Sequence, residues 1–334
     1  MSAALRPDTI VHDRYRVVRL IGLGGMGAVY LTEDLHLSEM HFALKEIRYS
    51  PDASTDLRRQ MAHQFRREAT ALSNLDHPNL PKVFDYFSED GRDYLVMDYI
   101  AGPNLKEVLD ETRGEGRKLT EAQVLEWIDQ ICDALLYLHH QDPPIIHRDI
   151  KPANIKLTES GAVKLVDFGL VKFFNADDPR TATLVHAYGT PTYAPLEQYG
   201  AGTGGTDVRS DIYALGATLY HLLTGRAPPD AHRRFTDPQS LASPRSLNED
   251  VSPLTEYLIL KAMAVRPDDR YQSARELRQD LTIARRLSLG HRTRRGVDLI
   301  WSSLVPHKWL TLIVLALLLL ALAMTTMRPE PIFW

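Results

Sequence analysis

The chain has 334 residues, 25 % of them charged and 44 % hydrophobic, with a formal net charge of -4. That is an ordinary globular composition with room for two separate cores, and it argues against nucleic-acid binding as the main activity. The only cysteine, Cys132, excludes an intrachain disulfide and fits a reducing compartment. It lies with Ile128, Ile131 and Leu135 at helical spacing, the setting of a packed core thiol.

The opening residues hold no long apolar run, so no secretory signal peptide is expected. YRVVRLIG and AVYLTED flank a glycine-rich turn and predict a β-hairpin, with HFALKEIR as a third strand. Ser54 to Leu75 predicts a helix with Phe65, Ala69 and Leu72 on one face and Glu68 between them. RDYLVMDYI is a further strand, broken by Ala101-Gly102-Pro103. Thr120 and Gln123 form a capping box for the helix LTEAQVLEWIDQICDALLYLHH. Ser210 to Leu223 and Pro253 to Val265 read as core helices, and Ser273 to Leu287 as an amphipathic one. YGAGTGGTD and the stretch from Arg226 to Asn248 read as surface loops. Strands first and helices afterwards give an α+β fold with a cleft between two lobes.

From Arg285 the chain turns basic, and Val297, Ile300, Trp301, Leu304 and Val305 fall on one helical face. A short helix on an anionic membrane surface and an ordinary juxtamembrane linker both fit this pattern. Trp309 to Met327 carries no charge, and its 19 residues would reach about 28 Å as a helix, near the ~30 Å of a bilayer core. A buried globular helix of that length would carry a polar stripe. Only Arg328 follows among basic residues, so the positive-inside rule keeps the N-terminal bulk in the cytoplasm.

The chemistry is concentrated in HRDIKPAN, His147 to Asn154, and in Asp167-Phe168-Gly169. Together they set a carboxylate, an ammonium and an amide at fixed spacing and add a second carboxylate beside a glycine. Such groups can hold Mg-ATP and a hydroxyl nucleophile in line for phosphoryl transfer. Upstream, Gly22, Gly24 and Gly27 stand in GxGxxG spacing, where bare backbone can approach phosphates. A dinucleotide-binding fold would need a helix directly afterwards, and AVYLTED is strand-like. Lys45 sits in the apolar surroundings of Ala43, Leu44 and Ile47, and Glu68, on the apolar face of the helix, is the acidic group proposed to pair with it.

From Tyr15 to about Leu287 these motifs, in this order, resemble eukaryotic-type protein kinases, and in particular membrane-anchored bacterial serine/threonine kinases. The resemblance implies a two-lobed protein-kinase fold, a β-rich N-lobe with one helix and a helical C-lobe, plus one C-terminal transmembrane helix. The expected division is an N-terminal extension at 1–14 and a kinase domain at 15–287, its N-lobe 15–98 and C-lobe 99–287. A basic juxtamembrane segment at 288–308, a membrane helix at 309–327 and a short extracytoplasmic tail at 328–334 would follow. With so short a tail, any signal is expected from the cytoplasmic side, the bilayer or partner membrane proteins.

The same resemblance assigns roles. Ile21, Gly22, Leu23, Gly24, Gly25, Met26, Gly27, Ala28 and Val29 would cover ATP, with Ile21 and Val29 against the adenine. Met97 would stand at the back of that pocket, and the backbone from Asp98 to Ile100 would be the hinge that hydrogen-bonds the base. Lys45 would grip the α- and β-phosphates, Asp149 would orient the hydroxyl and act as base, and Lys151 would stabilise the γ-phosphate. Asn154 and Asp167 would ligate Mg2+, or Mn2+; the histidines show no spacing for another metal. Thr181 and Thr183 are candidate phosphorylation sites, with Arg148 as a ready partner for a phosphate. Thr190 would bridge Asp149 and Lys151, Asp211 would brace the catalytic loop, and Glu197 would pair with Arg270. The family usually reads Ala-Pro-Glu where this chain has Ala194-Pro195-Leu196-Glu197, which touches the local backbone and the substrate-docking surface.

The implied activity is transfer of the ATP γ-phosphoryl group to serine or threonine hydroxyls of proteins, including its own, with a homodimer serving trans-autophosphorylation. Protein substrates and the bilayer are the implied partners, without nucleic acid, and the location is a single-pass membrane protein with its kinase domain cytoplasmic. A pseudokinase scaffold is disfavoured because Lys45, Glu68, Asp149, Asn154 and Asp167 are all present. A small-molecule kinase is disfavoured by Lys151, Thr190 and the segment around them.

Overall fold

The structure is a computed structural model that describes residues 4–24, 27–37, 40–47, 54–168, 191–199 and 205–288. The chain divides into Met1–Arg285 and Arg286–Trp334, and the second unit lies almost wholly outside the described residues. Among the described residues no helix is long and apolar enough to cross a membrane. The span expected at 309–327, with its basic approach and short tail, lies outside them.

The first unit has an upper lobe built on one antiparallel sheet. Its strands are β1 (Ile10–Val11), β2 (Tyr15–Gly24), β3 (Gly27–Asp34), β4 (His41–Ile47), β5 (Val83–Glu89) and β6 (Arg92–Asp98), in the order β1-β2-β3-β4-β6-β5. Alternation along a strand sends successive side chains to opposite faces. In β4, Ala43 and Ile47 join the main core, whereas Phe42 and Leu44 join a separate outer core with Tyr15, Val17, Tyr30, Tyr94 and Val96. Helix α1 (Thr55–Ser73) covers the inner face with Phe65, Ala69 and Leu72. Residues ahead of Tyr15 are part of this lobe: Ile10 and Val11 pair with Arg16 and Tyr15, and His12 stacks on Phe87 at 4.3 Å.

The lower lobe is helical: α2 (Leu105–Gly114), α3 (Glu121–His139), α4 (Val208–Thr224), α5 (Ala231–Thr236), α6 (Pro244–Leu247), α7 (Pro253–Ala262) and α8, which begins at 274. A small hairpin, β7 (Ile155–Leu157) with β8 (Val163–Leu165), follows the HRDIKPAN loop. Every residue of α4 from Ser210 to Leu223 is buried, so this helix is the lobe's axis rather than an amphipathic surface element. A capping box between Asp207 and Ser210 starts it, and Gly225 in the left-handed region ends it.

One expectation fails here. Arg226 to Asn248 is not a surface loop but holds α5, α6 and a 3-10 turn. Arg234 within it is buried and donates to Tyr213 Oη at 3.0 Å and to the Met263 carbonyl at 2.6 Å. Helices of four to six residues are too short to display a helical period, and their Pro, Asp and Ser caps read as turn residues.

Gly27, at the base of the glycine turn, has φ +152°, and a Cβ placed there would lie 1.8 Å from the Glu46 carbonyl oxygen of β4. That contact is with backbone, so no side-chain movement relieves it. Gly27→Ala is expected to lose about 1–3 kcal/mol of stability in urea unfolding, the usual size of such strain. A change within about 0.5 kcal/mol would mean that β3 and β4 separate easily.

Candidate active site

The loop carrying Asp149 has no helix or sheet partner for its first amides, and Asp211 supplies the acceptors. The fully buried Asp211 carboxylate accepts from His147 N at 2.9 Å and Arg148 N at 2.8 Å, and meets His139 Nε2 at 3.0 Å. Burial alone would raise this carboxyl, but His139 and the His147 amide outweigh it and hold it below its usual range. Arg148 has φ 65° and Asp167 φ 61°, left-handed conformations that a non-glycine residue adopts only where its surroundings impose them.

The loop then delivers Asp149. Its Oδ2 is 3.0 Å from Lys151 Nζ and 2.8 Å from Asn154 Nδ2, which also donates to the Asp149 carbonyl at 2.8 Å. The Asn154 carbonyl accepts from Val166 N at 2.8 Å, and so draws the strand leading to Asp167 alongside. Asp149, Lys151, Asn154 and Asp167 therefore share one short stretch of cleft wall. The His147 ring lies 4.7 Å from that of Phe168, both buried beneath Asp167.

From above, Lys45 reaches Asp167 Oδ1 at 3.2 Å and the Phe168 carbonyl at 3.4 Å. The strands flanking the glycine turn pair with Gly24 opposite Gly27, Leu23 opposite Ala28 and Gly22 opposite Val29. Leu23 projects into solvent at 66 % exposure, whereas Ile21 and Val29 pack against the inner core that includes Ala43 and Met97. Gly25 and Met26 lie outside the described residues. Asp98 N donates to the Lys82 carbonyl at 2.9 Å, and the Asp98 carboxylate accepts from Lys82 N at 2.9 Å, so the strand end before Ile100 is fixed.

Glu197 and Arg270 form a bidentate buried pair, Oε1 to Nη1 at 2.7 Å and Oε2 to Nη2 at 3.1 Å, with Ser210 Oγ donating to Oε1. The remaining Arg270 hydrogens go to the Ala264, Val265 and Arg209 carbonyls. Breaking a satisfied buried pair of this kind costs about 3–5 kcal/mol. Glu197 keeps this geometry with Leu196 before it, in a 3-10 turn over Leu196–Tyr199. Thr181, Thr183 and Thr190 lie outside the described residues.

A model of the protein kinase domain matches residues 15–281. The chain belongs to the protein kinase domain family. It is 35 % identical to the serine/threonine-protein kinase PrkC of Bacillus subtilis over 82 % of this chain and 41 % of that protein. It is 36 % identical to the serine/threonine-protein kinase PknB of Mycolicibacterium smegmatis over 80 % and 42 %, respectively. The chain thus spans about two fifths of the length of these curated relatives. Its fold is similar to the kinase domain of Mycobacterium tuberculosis PknI, with TM-score 0.65, 28 % identity and coverage of 84 % of this chain and 99 % of that one. An apo form of PpkA gives TM-score 0.67 at 27 % identity, covering 84 % and 100 %.

Against the kinase motif, one expected pair is not made. Among the described residues no ion pair or hydrogen bond joins Lys45 to Glu68; Lys45 is held by Asp167, and Glu68 Oε1 accepts from Gln64 Nε2 one turn earlier at 2.6 Å. Glu68 Oε2 is buried with no hydrogen-bond partner among the described residues. Burial pushes the Glu68 carboxyl up to about 8, only partly offset by Gln64, Arg148 and Arg67. A carboxyl kept protonated avoids the cost of a buried, unpaired charge.

Sequence reasoning also overlooked His139 and Asn79. His139 follows Cys132 and Leu135 on the buried stripe of α3, so its burial was readable, but its partner Asp211 is 72 residues away. Asn79 donates to the Val163 carbonyl at 2.8 Å and to Gln130 Oε1 at 3.1 Å, and nothing in its neighbourhood announces that role.

Because folding raises the Glu68 carboxyl from 4.5 to about 8, the folded chain binds more protons than the unfolded one between those values. Its contribution to stability is complete below pH 4.5 and is lost as pH climbs through about 8. Glu68→Gln is therefore expected to gain thermal stability relative to wild type as pH rises from 5 towards 8.5. A wild-type-minus-variant difference that stays flat in differential scanning fluorimetry would show Glu68 ionised throughout.

Proposed function

We propose that this chain is a serine/threonine protein kinase that transfers the γ-phosphoryl group of ATP to protein hydroxyls, its own included. The observation that carries the reading is the convergence of Asp149, Lys151 and Asn154 with Lys45 and Asp167 on one cleft. Lys151 two residues after Asp149 supports the serine/threonine class, as does the chain's similarity to serine/threonine-protein kinases.

A serine hydroxyl is too weakly acidic for much deprotonation in the ground state, so Asp149 acts mainly by orienting it towards phosphorus, and takes the proton as transfer proceeds. Asn154 and Lys151 restrict the rotation of that carboxylate. Lys151 then follows charge onto the γ-phosphoryl oxygens, and Lys45 exchanges Asp167 for the α- and β-phosphates. Glu68 ionises as it replaces Asp167 beside Lys45, a step its raised carboxyl couples to proton loss. Ile21, Val29 and Met97 offer an apolar slot to the adenine, with Asp98 to Ile100 as its backbone edge.

The donor set fits a hard divalent cation. The Asn154 amide nitrogen is engaged by Asp149, so its amide oxygen is the atom that would serve as a ligand beside the Asp167 carboxylate. A carboxylate and an amide oxygen are hard donors of the kind that would suit Mg2+ or Mn2+. An ion held by Asn154 and Asp167 would supply neutralisation of phosphate charge.

The apolar run at 309–327 is read as a single membrane anchor that leaves the kinase domain in the cytoplasm. Its freedom from charge over 19 residues supports this, as does the basic stretch before it.

Full-length protein incubated with labelled ATP, Mg2+ and a generic protein substrate is expected to label serine or threonine. Asp149→Asn should lower incorporation about 10²-fold or more. Equal labelling by the variant, or phosphotyrosine alone, would contradict the assignment. Full-length protein should also remain with membranes through alkaline carbonate extraction. A Leu317→Arg/Leu318→Arg variant should be released, since each arginine costs about 2.5–3.5 kcal/mol at a helix centre. Retention of both alike would remove the anchor.

A further inference from the structure

The outer face of the upper sheet carries a buried polar line that the catalytic assignments do not use. Leu5 N donates to Tyr30 Oη at 3.0 Å, and Tyr30 Oη donates to Glu46 Oε2 at 2.6 Å. Arg92 Nη1 lies 3.2 Å from Glu46 Oε1. Tyr30 and Glu46 are both fully buried, in an otherwise aromatic and aliphatic layer with Phe42, Leu44, Tyr94 and Val96. A hydrophobic residue at position 46 would pack there without a desolvation cost, so stability alone does not account for the carboxylate.

Its position in the strand does account for it. Glu46 follows Lys45 in β4, so the two side chains leave on opposite faces, Lys45 into the cleft and Glu46 into the outer core. The Glu46 carbonyl is also the atom on which Gly27 rests, closer than any Cβ would allow. One residue thus meets the strand of Lys45, the base of the glycine turn and, through Tyr30, the N-terminal segment. That segment is fastened by Asp8 N to the Val17 carbonyl at 2.8 Å, by Val17 N to the Thr9 carbonyl at 2.9 Å and by His12 N to Glu89 Oε2 at 3.0 Å.

We propose that Tyr30 and Glu46 are positioning residues for the nucleotide cleft, and that the strap at residues 4–13 sets them from the far face of the sheet. The proposal rests on the reading that Lys45 meets the phosphates of ATP. A tyrosine hydroxyl that accepts from the strap and donates to Glu46 uses both of its hydrogen-bonding directions, so each bond strengthens the other. Release of the strap removes the bond from Leu5 N to the hydroxyl, and Glu46 and the twist of β4 beneath Lys45 and Gly27 respond. Nucleotide affinity then answers to an event on a surface remote from the cleft.

The test uses full-length protein with three changes: Tyr30→Phe, removal of residues 1–7, and Val17→Ala, which thins the same outer core and leaves the hydroxyl in place. Tyr30→Phe is expected to raise KM for ATP about fivefold, roughly one hydrogen bond, with kcat altered less than about twofold. Hydrogen–deuterium exchange should quicken across 42–47 without nucleotide, and the truncation should reproduce both effects. Val17→Ala should lower Tm comparably and leave KM in place. Equal KM increases in Tyr30→Phe and Val17→Ala at matched loss of Tm would reduce the line to ordinary stabilisation and overturn the proposal. Wild-type KM and exchange in Tyr30→Phe would overturn it too. The exchange response needs no turnover, so a wild type that fails to transfer phosphate while Tyr30→Phe still quickens 42–47 strikes the kinase reading and leaves the coupling standing.

Discussion

The buried carboxylate of Asp211 is the constraint on which the site depends. A loop that turns through a left-handed Arg148 cannot satisfy its own amides, and that of His147 is buried while that of Arg148 is partly so. An acceptor must come from elsewhere, and α4 brings one in its first turn. That helix cannot shift to suit the loop, because it is enclosed along its length; a Cβ on Gly216 would lie 2.8 Å from Ala262 of α7. Asp149 therefore inherits its place from the packing of the lower lobe, through two hydrogen bonds. His139 closes the arrangement from α3, so the catalytic loop is fixed by two helices that are themselves core.

Across the cleft the charges are less settled. Lys45 is bound to Asp167, and the Glu68 carboxyl retains a proton beside Gln64. Lys45 is paired with Asp167, whereas the charges that bear on Glu68 are those of Arg148 and Arg67. On the function proposed above, moving Lys45 from Asp167 towards Glu68 would require the buried Glu68 carboxyl to ionise, and phosphates that drew Lys45 away would leave Asp167 for a cation. Proton loss, metal ligation and nucleotide grip would then belong to one redistribution of charge, not to three separate events.

Much of this was legible because it is local. Alternation in HFALKEI gives both a strand and a lysine facing inwards, and the periods of three and four in α3 give its core face. HRDIKPAN contains its own geometry, since Asn154 reaches Asp149 across a single 3-10 turn. What escaped depends on distance or on mixed polarity. VFDYFSE is β5, but its aspartate, serine and glutamate obscure the alternation, and its place at the sheet edge makes them harmless. Asn104 with Glu107 is a complete capping box for α2, readable in retrospect from spacing alone. The contact of Lys45 with Asp167 was not legible because sequence shows which carboxyls are buried, not which lies nearer. The outer core escaped for a related reason: a strand with apolar residues on both faces implies two covers, and the second is formed by residues before Tyr15 that carry no pattern of their own.

The tether behind α1 limits how Glu68 can approach Lys45. After Ser73 the chain is bound to the lower lobe at several points. Asp76 N donates to Tyr137 Oη at 3.0 Å, and His77 Nε2 lies 3.6 Å from Asp133. Asn79 joins Val163 and Gln130 through its side chain and accepts from Leu165 N at 2.8 Å through its carbonyl. These bonds fix the C-terminal end of α1 to the elements that carry the catalytic loop. Glu68 stands only five residues before that end, about 7.5 Å along the axis. So short an arm gives little travel by swinging, whereas rotation about the helix axis turns the side chain at full radius. Such rotation also turns Phe65, Ala69 and Leu72 within the inner core, so the Lys45–Glu68 pair of the proposed function would require that core to accept a second packing of the same three side chains.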